Sequence, residues 1–232
     1  MVGIMITKEQ AIQNIDEVIT KVESARLKQD AHHIVQVVAI SKYNSADDIR
    51  TLYHCGQRAF GENKVQDLKE KSTLLDDLPI SWHFVGRLQS NKINQLIDLN
   101  PVLMHSLDSI ELANELDKRL KVKNKTMNCL LQINSAKEES KAGVMPEDAI
   151  ETYIYIKNNF SNINLCGVMS IGAYVEDKEL IKQSFISTQK IYNALQEKGA
   201  YICSMGMSGD FEIAIELGSN LIRVGSALFK SK

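Results

Sequence analysis

The sequence predicts an α/β protein built as a single (β/α)8 barrel with an extra helix before the first strand. Eight short apolar segments alternate with segments of helical periodicity along the 232 residues, at intervals of under about 30 residues. Only three prolines occur, and no Gly/Ser-rich linker interrupts the chain. We therefore expect one domain spanning residues 1–232. A doubly wound parallel sheet is the alternative fold with the same alternation.

The predicted elements follow one another in a regular order. From residue 8 to about 30, apolar residues recur near helical spacing among charges, which indicates an amphipathic helix. The apolar runs assigned to strands cover residues 35–41, 58–61, 81–85, 102–106, 127–133, 165–170, 201–204 and 221–224. The helices between them are predicted at 46–55, 62–75, 90–98, 109–121, 146–158 and 178–198, and a short one after Ser208. Pro146 is typical of a helix start and Gly199 of a helix end.

Composition and charge narrow the class of ligand. Hydrophobic residues make up 44% and charged residues 24% of the chain, as in ordinary globular proteins. The net charge of -2 comes from 27 basic and 29 acidic residues that are well mixed along the sequence. Because no basic patch or run appears, we expect neither nucleic acid nor a membrane surface as partner. A small molecule remains as the expected ligand.

The cysteines and the amino-terminal segment predict the compartment. Cys55, Cys129, Cys166 and Cys203 lie far apart, without a CxxC pair or a histidine at metal-ligand spacing. We interpret them as reduced thiols and expect no metal site. The apolar start of the chain is too short for a signal peptide, and no run approaches the length of a membrane span. We therefore expect a cytoplasmic protein.

Lys42 is the first candidate functional residue. It ends the apolar run that begins at Val35, so it is expected at the carboxyl end of the first strand, where barrels carry their active groups. Partial desolvation there would favour its neutral amine, and only the neutral amine attacks an aldehyde to form a Schiff base. A lysine that merely solvates a strand end is the alternative interpretation.

The same rule collects further polar residues at the ends of the other predicted strands. They are Gly61-Glu62-Asn63, the stretch from His83 to Asn91, Asn134, Ser135, Ser140, Lys141, the stretch from Ser204 to Ser208, and Arg223-Val-Gly225-Ser226. Asn63 is also compatible with a loop amide or helix cap, and His83 with a satisfied core histidine.

The last two strands carry the pattern of a phosphate site. Barrels often hold phosphate between the loops after strands seven and eight and a helix N-terminus. Ser208 stands where an N-cap is expected, Gly209 permits close backbone approach, and Gly225 and Ser226 offer N–H groups and a hydroxyl. A plain helix cap is the alternative role for Ser208.

Arg223 lies within a predicted strand, where a guanidinium needs a partner. A core acid and the ring nitrogen of a cofactor would serve equally well. Motifs for a nucleophilic triad, a metal centre, a Walker loop or a GxGxxG loop are missing from the sequence.

Eight segments form an ordered set from the first strand to the last. They are Ala39-Ile-Ser-Lys42, Phe60-Gly-Glu-Asn-Lys-Val-Gln66, Trp82-His-Phe-Val-Gly-Arg-Leu-Gln-Ser-Asn-Lys92, Leu131-Gln-Ile-Asn134, Ser140-Lys-Ala-Gly143, Gly167-Val-Met169, Ser204-Met-Gly-Met-Ser208 and Ile222-Arg-Val-Gly-Ser-Ala-Leu-Phe229. Together they cover nearly the whole chain. The set resembles the family of small pyridoxal phosphate homeostasis proteins, single-domain relatives of the alanine racemase N-terminal barrel (fold type III).

The resemblance implies a role for each candidate residue. Lys42 would carry pyridoxal 5′-phosphate as a Schiff base, Asn63 would lie beside the ring, and Arg223 would face the pyridine nitrogen. Ser208, Gly225 and Ser226 would hold the phosphate, while His83 and Ser204 belong to the cofactor-binding motifs. Because an arginine does not give the ring nitrogen a proton as an acid does, the ring would be a weaker electron sink.

The chain departs from the family pattern at four places. Tyr43-Asn44-Ser45 replaces the frequent Thr-Lys-Pro, Lys64 a frequent Tyr, Arg87 the usual Pro, and Gly209-Asp210-Phe211 the usual Asp-Asp-Met. None of these changes removes a proposed cofactor ligand. Lys64 and Arg87 add positive charge near the rim and leave open whether a second anionic ligand binds there.

Three functions are compatible with these residues. The resemblance favours a pyridoxal phosphate carrier or regulator in vitamin B6 homeostasis, without robust catalysis, that also affects amino-acid and keto-acid balance. An amino-acid racemase or related enzyme is the alternative, but in alanine racemase the second base comes from an added β-domain, and this chain ends at Lys232, just past the last strand. A Schiff-base aldolase barrel without cofactor is the third. With no second domain completing the site, a monomer is expected.

Overall fold

The eight strands close into a parallel barrel. The computed structural model describes residues 5–138, 141–173, 175 and 177–231. Each strand pairs with its neighbour in the sequence, and the last pairs with the first. The strands are β1 (Gln36–Ile40), β2 (Ala59–Glu62), β3 (Ser81–Phe84), β4 (Leu103–Leu107), β5 (Met127–Ile133), β6 (Ile163–Ser170), β7 (Ile202–Ser204) and β8 (Leu221–Val224). The closed sheet confirms the predicted (β/α)8 barrel and excludes the doubly wound alternative, whose sheet stays open.

One helix precedes β1, and a helix follows each of the first seven strands. They are α1 (Lys8–Gln29), α2 (Ala46–His54), α3 (Val65–Leu74), α4 (Ile93–Leu99), α5 (Ile110–Val122), α6 (Ala149–Asn159), α7 (Lys178–Leu195) and α8 (Phe211–Glu216). Within the described residues, none of the helices combines the length and the apolar character that crossing a bilayer requires.

Four predicted helix boundaries differ from the structure by three residues. α4 begins at Ile93 rather than at residue 90, because Ser90–Lys92 form a 3-10 turn. α3 begins at Val65 rather than at residue 62, because Glu62 still belongs to β2 and lies opposite Phe84 of β3. α6 begins at Ala149, since the residues from Pro146 to it form a turn. α7 gives way to a 3-10 turn at Gln196–Lys198, which ends at Gly199 with φ 91°, as the glycine predicted.

Side chains alternate between the inside and the outside of the barrel. One buried cluster draws its members from strands alone, which identifies it as the barrel interior; it contains Val38, Ile40, Ala59, Leu103, Leu130, Cys166, Met169 and Leu221. Two larger clusters combine the opposite strand faces with helix residues. Because residues two apart face the same side of a strand, His83 and Arg223 point into the interior with these neighbours.

The N-terminal helix supports β8, the strand that carries Arg223, and the segment that follows it. Thr7 and Gln10 form a capping box at its start, a feature that stabilises a helix by about 1 kcal/mol. Its buried residues pack in the same cluster as Ile222 and Val224 of β8. The Asn14 side chain donates to the carbonyls of Leu228 and Lys230, both at 3.0 Å, and so ties α1 to the segment after β8.

Candidate functional site at the barrel mouth

Lys42 lies two residues after the last residue of β1, at the carboxyl end of the barrel, and is exposed. It is the second residue of a turn that the Asn44 N–H closes on the Ser41 carbonyl, at 3.0 Å. Tyr43, the third residue, has φ 72°, and its ring lies 5.6 Å from the Lys42 Nζ. The expected position at a strand end is therefore found, whereas the expected desolvation is wrong: β1 ends at Ile40, so Lys42 stands on a turn outside the sheet.

A buried ion pair beneath this turn was not predicted. The Lys71 ammonium donates to Glu62 Oε1 at 2.6 Å and to the Ser41 carbonyl at 2.8 Å. The Ser41 hydroxyl donates to the same Glu62 oxygen at 2.6 Å. Glu62 Oε2 is buried and has no hydrogen-bond partner among the described residues. The sequence placed Glu62 after the second predicted strand. Because the predicted helix 62–75 began at this residue, its contact with Ser41 and Lys71 was not expected.

Asn63 follows β2 and is held by a close backbone approach. A Cβ built on Gly86 would lie 1.8 Å from the Asn63 carbonyl oxygen, so only glycine fits at residue 86. The side-chain Oδ1 of Asn63 is buried and finds no hydrogen-bond partner in the part of the chain that the structure describes. Such an atom is available to a ligand.

His83, His105 and Ser204 form a hydrogen-bonded chain across the barrel interior. His83 Nδ1 lies 2.9 Å from His105 Nε2, and His105 Nδ1 lies 3.4 Å from the Ser204 hydroxyl. Burial lowers the pKa of His83 from 6.5 to about 4 and lowers the pKa of His105 well below 6.5, so both rings are neutral at neutral pH. His83 Nε2 is buried and unpartnered within the described ranges.

Arg223 continues this chain from β8. Its guanidinium donates to the Ser204 hydroxyl at 2.5 Å and to the Ser170 carbonyl at 2.8 Å, and both acceptors are neutral. Burial lowers the pKa of Arg223 from 12.5 to about 10, opposed by the nearby charge of Asp210, so the group stays charged at neutral pH. The guanidinium is therefore a buried cation whose hydrogen-bond acceptors, among the residues described, are a hydroxyl and a carbonyl.

Ser208 joins the loops after β7 and β8, although not as a helix cap. Its hydroxyl accepts the N–H of Gly225 at 3.1 Å and that of Ala227 at 3.4 Å. The N-cap of α8 is Asp210, whose carboxylate accepts the Met207 N–H at 2.6 Å. The predicted capping role of Ser208 is wrong because α8 begins three residues later. A Cβ on Gly209 would meet no described atom within 4 Å, so open space lies beside this loop.

The rim also carries cationic side chains, of which Lys64 and Arg87 are exposed. Lys64 precedes α3, and Arg87 lies 3.7 Å from an Asp108 carboxylate oxygen. Lys141 donates to Glu138 at 2.8 Å and to the Gly172 carbonyl at 3.1 Å. A cavity of about 260 Å³ lies between these loops, lined by Val85, Arg87, Gln132, Ile133, Asn134, Lys141, Ala142 and Ile171. Ser135 is buried, and Ser140 lies outside the described residues.

Contacts divide the eight predicted ligands into groups. His83, Ser204 and Arg223 share one hydrogen-bonded chain, and Ser208 contacts Gly225. Lys42, Asn63 and Ser226 lie at the same rim but make no hydrogen bond to either group among the described residues. His105 completes the interior chain and was not predicted, because it lies within the predicted strand 102–106 and not after its end.

The chemistry available at this rim is that of a nucleophilic amine beside a polar pocket. It combines an exposed lysine amine, the unpartnered buried atoms Asn63 Oδ1 and His83 Nε2, and a buried guanidinium. Across the described ranges, no group of three His, Cys, Asp or Glu side chains is arranged to hold a metal ion. The set suits a small ligand that has a carbonyl group and several hydrogen-bonding atoms.

Sequence comparison assigns most of the chain to a known domain. The family described as alanine racemase, N-terminal domain, matches residues 14–232. The pyridoxal phosphate homeostasis protein of Helicobacter pylori is 52% identical over 218 residues, which cover 94% of this chain and 97% of that protein.

Two solved structures that share this fold are 28% and 29% identical to this chain in sequence. The crystal structure of an unknown protein from Bifidobacterium adolescentis aligns with a TM-score of 0.89 and 28% identity, over 98% of this chain and 99% of that one. PipY of Synechococcus elongatus, solved with PLP bound, aligns with a TM-score of 0.81 and 29% identity, over 95% of this chain and 100% of that one.

Proposed function

This chain belongs to the pyridoxal phosphate homeostasis protein family, and we propose that it binds pyridoxal 5′-phosphate at the barrel mouth, with Lys42 as the covalent attachment point. The identity to the Helicobacter pylori homeostasis protein and the likeness to PLP-bound PipY support the ligand. We propose that the whole chain, residues 1–232, acts as one binding domain.

The observation that carries the proposal is the buried guanidinium of Arg223. It has two neutral acceptors among the described residues, and its pKa of about 10 keeps it protonated at neutral pH. A pyridine nitrogen with a free lone pair is a suitable further acceptor for such a cation. Because the guanidinium keeps its own proton, it leaves the ring nitrogen unprotonated.

The residues present fit this group at the remaining positions as well. Asn63 Oδ1 and His83 Nε2 are buried and unpartnered within the part of the chain described, so they are free to meet polar atoms of a ring. The open space beside Gly209, next to the Ser208 hydroxyl, which accepts two N–H groups and keeps its own proton to donate, suits a phosphate. Gly225 and Ser226 follow β8 at the same place.

Lys42 supplies the bond and Arg223 limits the chemistry. When bound, the cofactor supplies an aldehyde for the Lys42 amine and a ring that accepts electron density from an attached amino group. An unprotonated ring nitrogen makes the ring a weak electron sink, so proton removal from a bound amino acid is disfavoured. We therefore propose a carrier that holds and releases the cofactor rather than a racemase.

The oligomeric state, the further ligands and the cellular compartment of the protein are also proposed. We propose a monomer, because the predicted ligands all come from one chain, and amino or keto acids as further small-molecule partners. We place the protein in the cytoplasm on the basis of its cysteines, which are free thiols at Cys55, Cys129, Cys166 and Cys203.

A titration of the purified protein with pyridoxal 5′-phosphate tests the proposal. We expect a new visible absorption band that saturates at one equivalent and is lost in Lys42→Ala, whereas Lys64→Ala, which removes an exposed lysine of the same rim, keeps it. Weak, phosphate-directed binding without the band is expected to remain in Lys42→Ala. A protein that takes up no cofactor, or a Lys42→Ala variant with an unchanged spectrum, contradicts the proposal.

A further inference from the structure

We propose that Glu62 and Lys71 are positioning residues for Lys42. Their buried ion pair fixes the peptide group from which Lys42 extends, and so determines where its amine meets the aldehyde carbon. The inference rests on the proposed function, since it concerns how the same lysine reaches its cofactor.

The ion pair is unusually buried for this protein. The side chains of Lys71 and Glu62 are 12% and 0% exposed. In every other ion pair between described residues, at least one side chain is more than a third exposed. Burying two charges costs solvation, so such a pair contributes more to a defined geometry than to stability.

Both members of the pair act on Ser41, the residue before Lys42. The Ser41 hydroxyl donates to Glu62, its carbonyl accepts from Lys71, and its N–H donates to the Gly61 carbonyl at 3.0 Å. All three polar groups of Ser41 are therefore fixed, two of them by the ion pair. The Ser41–Lys42 peptide plane is held from below by α3, the helix that carries Lys71.

The turn above needs this support. Tyr43 adopts φ 72°, a left-handed conformation that is unfavourable for a residue with a Cβ. The turn is closed by the Ser41 carbonyl, the same oxygen that Lys71 holds. A strained backbone conformation persists only where the contacts around it hold it in place.

The side chain of Lys42 has little support of its own. It is exposed, its ammonium lies 5.6 Å from the centre of the Tyr43 ring, and it makes no hydrogen bond or ion pair with the described residues. Its direction is therefore governed by the backbone from which it extends. In the reaction the neutral amine adds to the aldehyde carbon, a C=N bond forms and one water leaves, so the ion pair contributes geometry and no proton.

A double-mutant cycle with Lys42→Ala tests this role. Glu62→Gln/Lys71→Met removes both charges together, which avoids leaving one buried charge unpaired. With Lys42 present, we expect this double variant to bind pyridoxal 5′-phosphate about tenfold more weakly. In the Lys42→Ala background, the same change is expected to alter affinity by less than about twofold. Asp98→Asn/Lys123→Met, which removes a more exposed ion pair at 2.5 Å, is the matched control and leaves affinity unchanged in both backgrounds.

Hydrogen exchange of the Asn44 amide gives a readout without cofactor. This amide donates to the Ser41 carbonyl. We expect it to exchange about tenfold faster in Glu62→Gln/Lys71→Met than in the unaltered protein, while the Tm of the two proteins is the same. An equal loss of affinity in both Lys42 backgrounds, or no loss in either, overturns the positioning role. If the unaltered protein takes up no cofactor, the proposed function fails. In that case the exchange experiment decides this inference, which is overturned if the Asn44 amide exchanges at the same rate in Glu62→Gln/Lys71→Met and in the unaltered protein.

Ser41→Ala provides a milder variant if the double variant does not fold. It removes only the hydroxyl that donates to Glu62. The same cycle applies, with a loss of affinity expected only when Lys42 is present. A loss of the same size in Lys42→Ala, or none in either background, overturns the inference.

Discussion

His83 Nδ1 and His105 Nε2 lie 2.9 Å apart inside the barrel, and both rings are buried. One ring donates its proton and the other accepts it, so the pair holds together only while at least one ring is neutral. Burial alone keeps the pKa of His83 at about 4. The buried pair links Arg223, through Ser204, to the third strand.

Acid is expected to destabilise the fold through these histidines. The pKa of His83 falls from 6.5 in the unfolded chain to about 4 in the folded protein. Between these pH values the unfolded chain binds more protons than the folded protein. The free energy of unfolding is therefore highest above pH 6.5 and declines as the pH falls towards 4, and His83 contributes about 3 kcal/mol to this decline. Urea unfolding at several pH values measures this decline.

The carboxylates of the protein also titrate in this pH range. Histidine variants are therefore needed to separate the contribution of the buried rings from that of the carboxylates. His83→Gln/His105→Gln is expected to flatten the decline, whereas His32→Gln, at an exposed site, leaves it unchanged. A double variant with the same pH dependence as the unaltered protein would show that the buried rings are not responsible.

The contact proposed for Arg223 predicts a spectral change. In Arg223→Glu, a carboxylate beside the ring nitrogen favours its protonation, so the visible band of the bound cofactor is expected to shift. Arg87→Glu, which reverses an exposed charge on the same rim, is expected to leave the band in place. Absorption spectra of the two cofactor-bound variants provide the comparison. If the band and the affinity of Arg223→Glu both match those of the unaltered protein, Arg223 does not face the ring.

Asn63 is expected to matter for binding and not for folding. Its Oδ1 has no partner among the described residues, so Asn63→Ala is expected to leave the free energy of unfolding within about 0.5 kcal/mol and to weaken cofactor binding severalfold. Asn14→Ala, which removes two hydrogen bonds to Leu228 and Lys230, is expected to do the reverse, with a loss of about 2 kcal/mol. Chemical unfolding and cofactor titration measure the two effects, and the Asn63 prediction fails if stability falls while affinity stays.

Gly209 tests where the phosphate lies. A Cβ there meets no described atom within 4 Å, so Gly209→Ala is expected to leave stability within about 0.5 kcal/mol. If the phosphate occupies that space, the methyl group weakens binding of the cofactor and of inorganic phosphate as its competitor. Gly206→Ala is the contrasting variant: with φ 91° and Phe211 Cα at 2.7 Å, it is expected to destabilise the fold. Unchanged phosphate competition in Gly209→Ala would place the phosphate elsewhere.

The barrel was predictable because its signal is repeated along the chain. Eight apolar runs separated by helical patterns leave few arrangements, and the predicted strand at 127–133 coincides with β5. Errors remained where one residue decides a boundary. Ser208 looked like an N-cap, but Asp210 takes that place, and Glu62 looked like a helix start although it extends β2.

The contacts of the site depend on register, which one sequence does not reveal. His83 lies opposite Leu103, which places His105 two residues farther along the same inner face. Nothing in the sequence around His105 shows that its partner is His83. In the same way, the contact of Lys71 with the Ser41 carbonyl joins residues 30 apart and depends on how α3 packs on the barrel.

Reduction of the protein–cofactor complex with borohydride, followed by mass spectrometry of its peptides, tests the central claim most directly. Borohydride converts the bond between a lysine amine and the cofactor into a stable amine, so the modified residue is identified by sequence. The account predicts one modified residue, Lys42, in the unaltered protein. Modification of Lys64, Lys71 or Lys141 with Lys42 unmodified, or the absence of any modified lysine after incubation with cofactor, would contradict it.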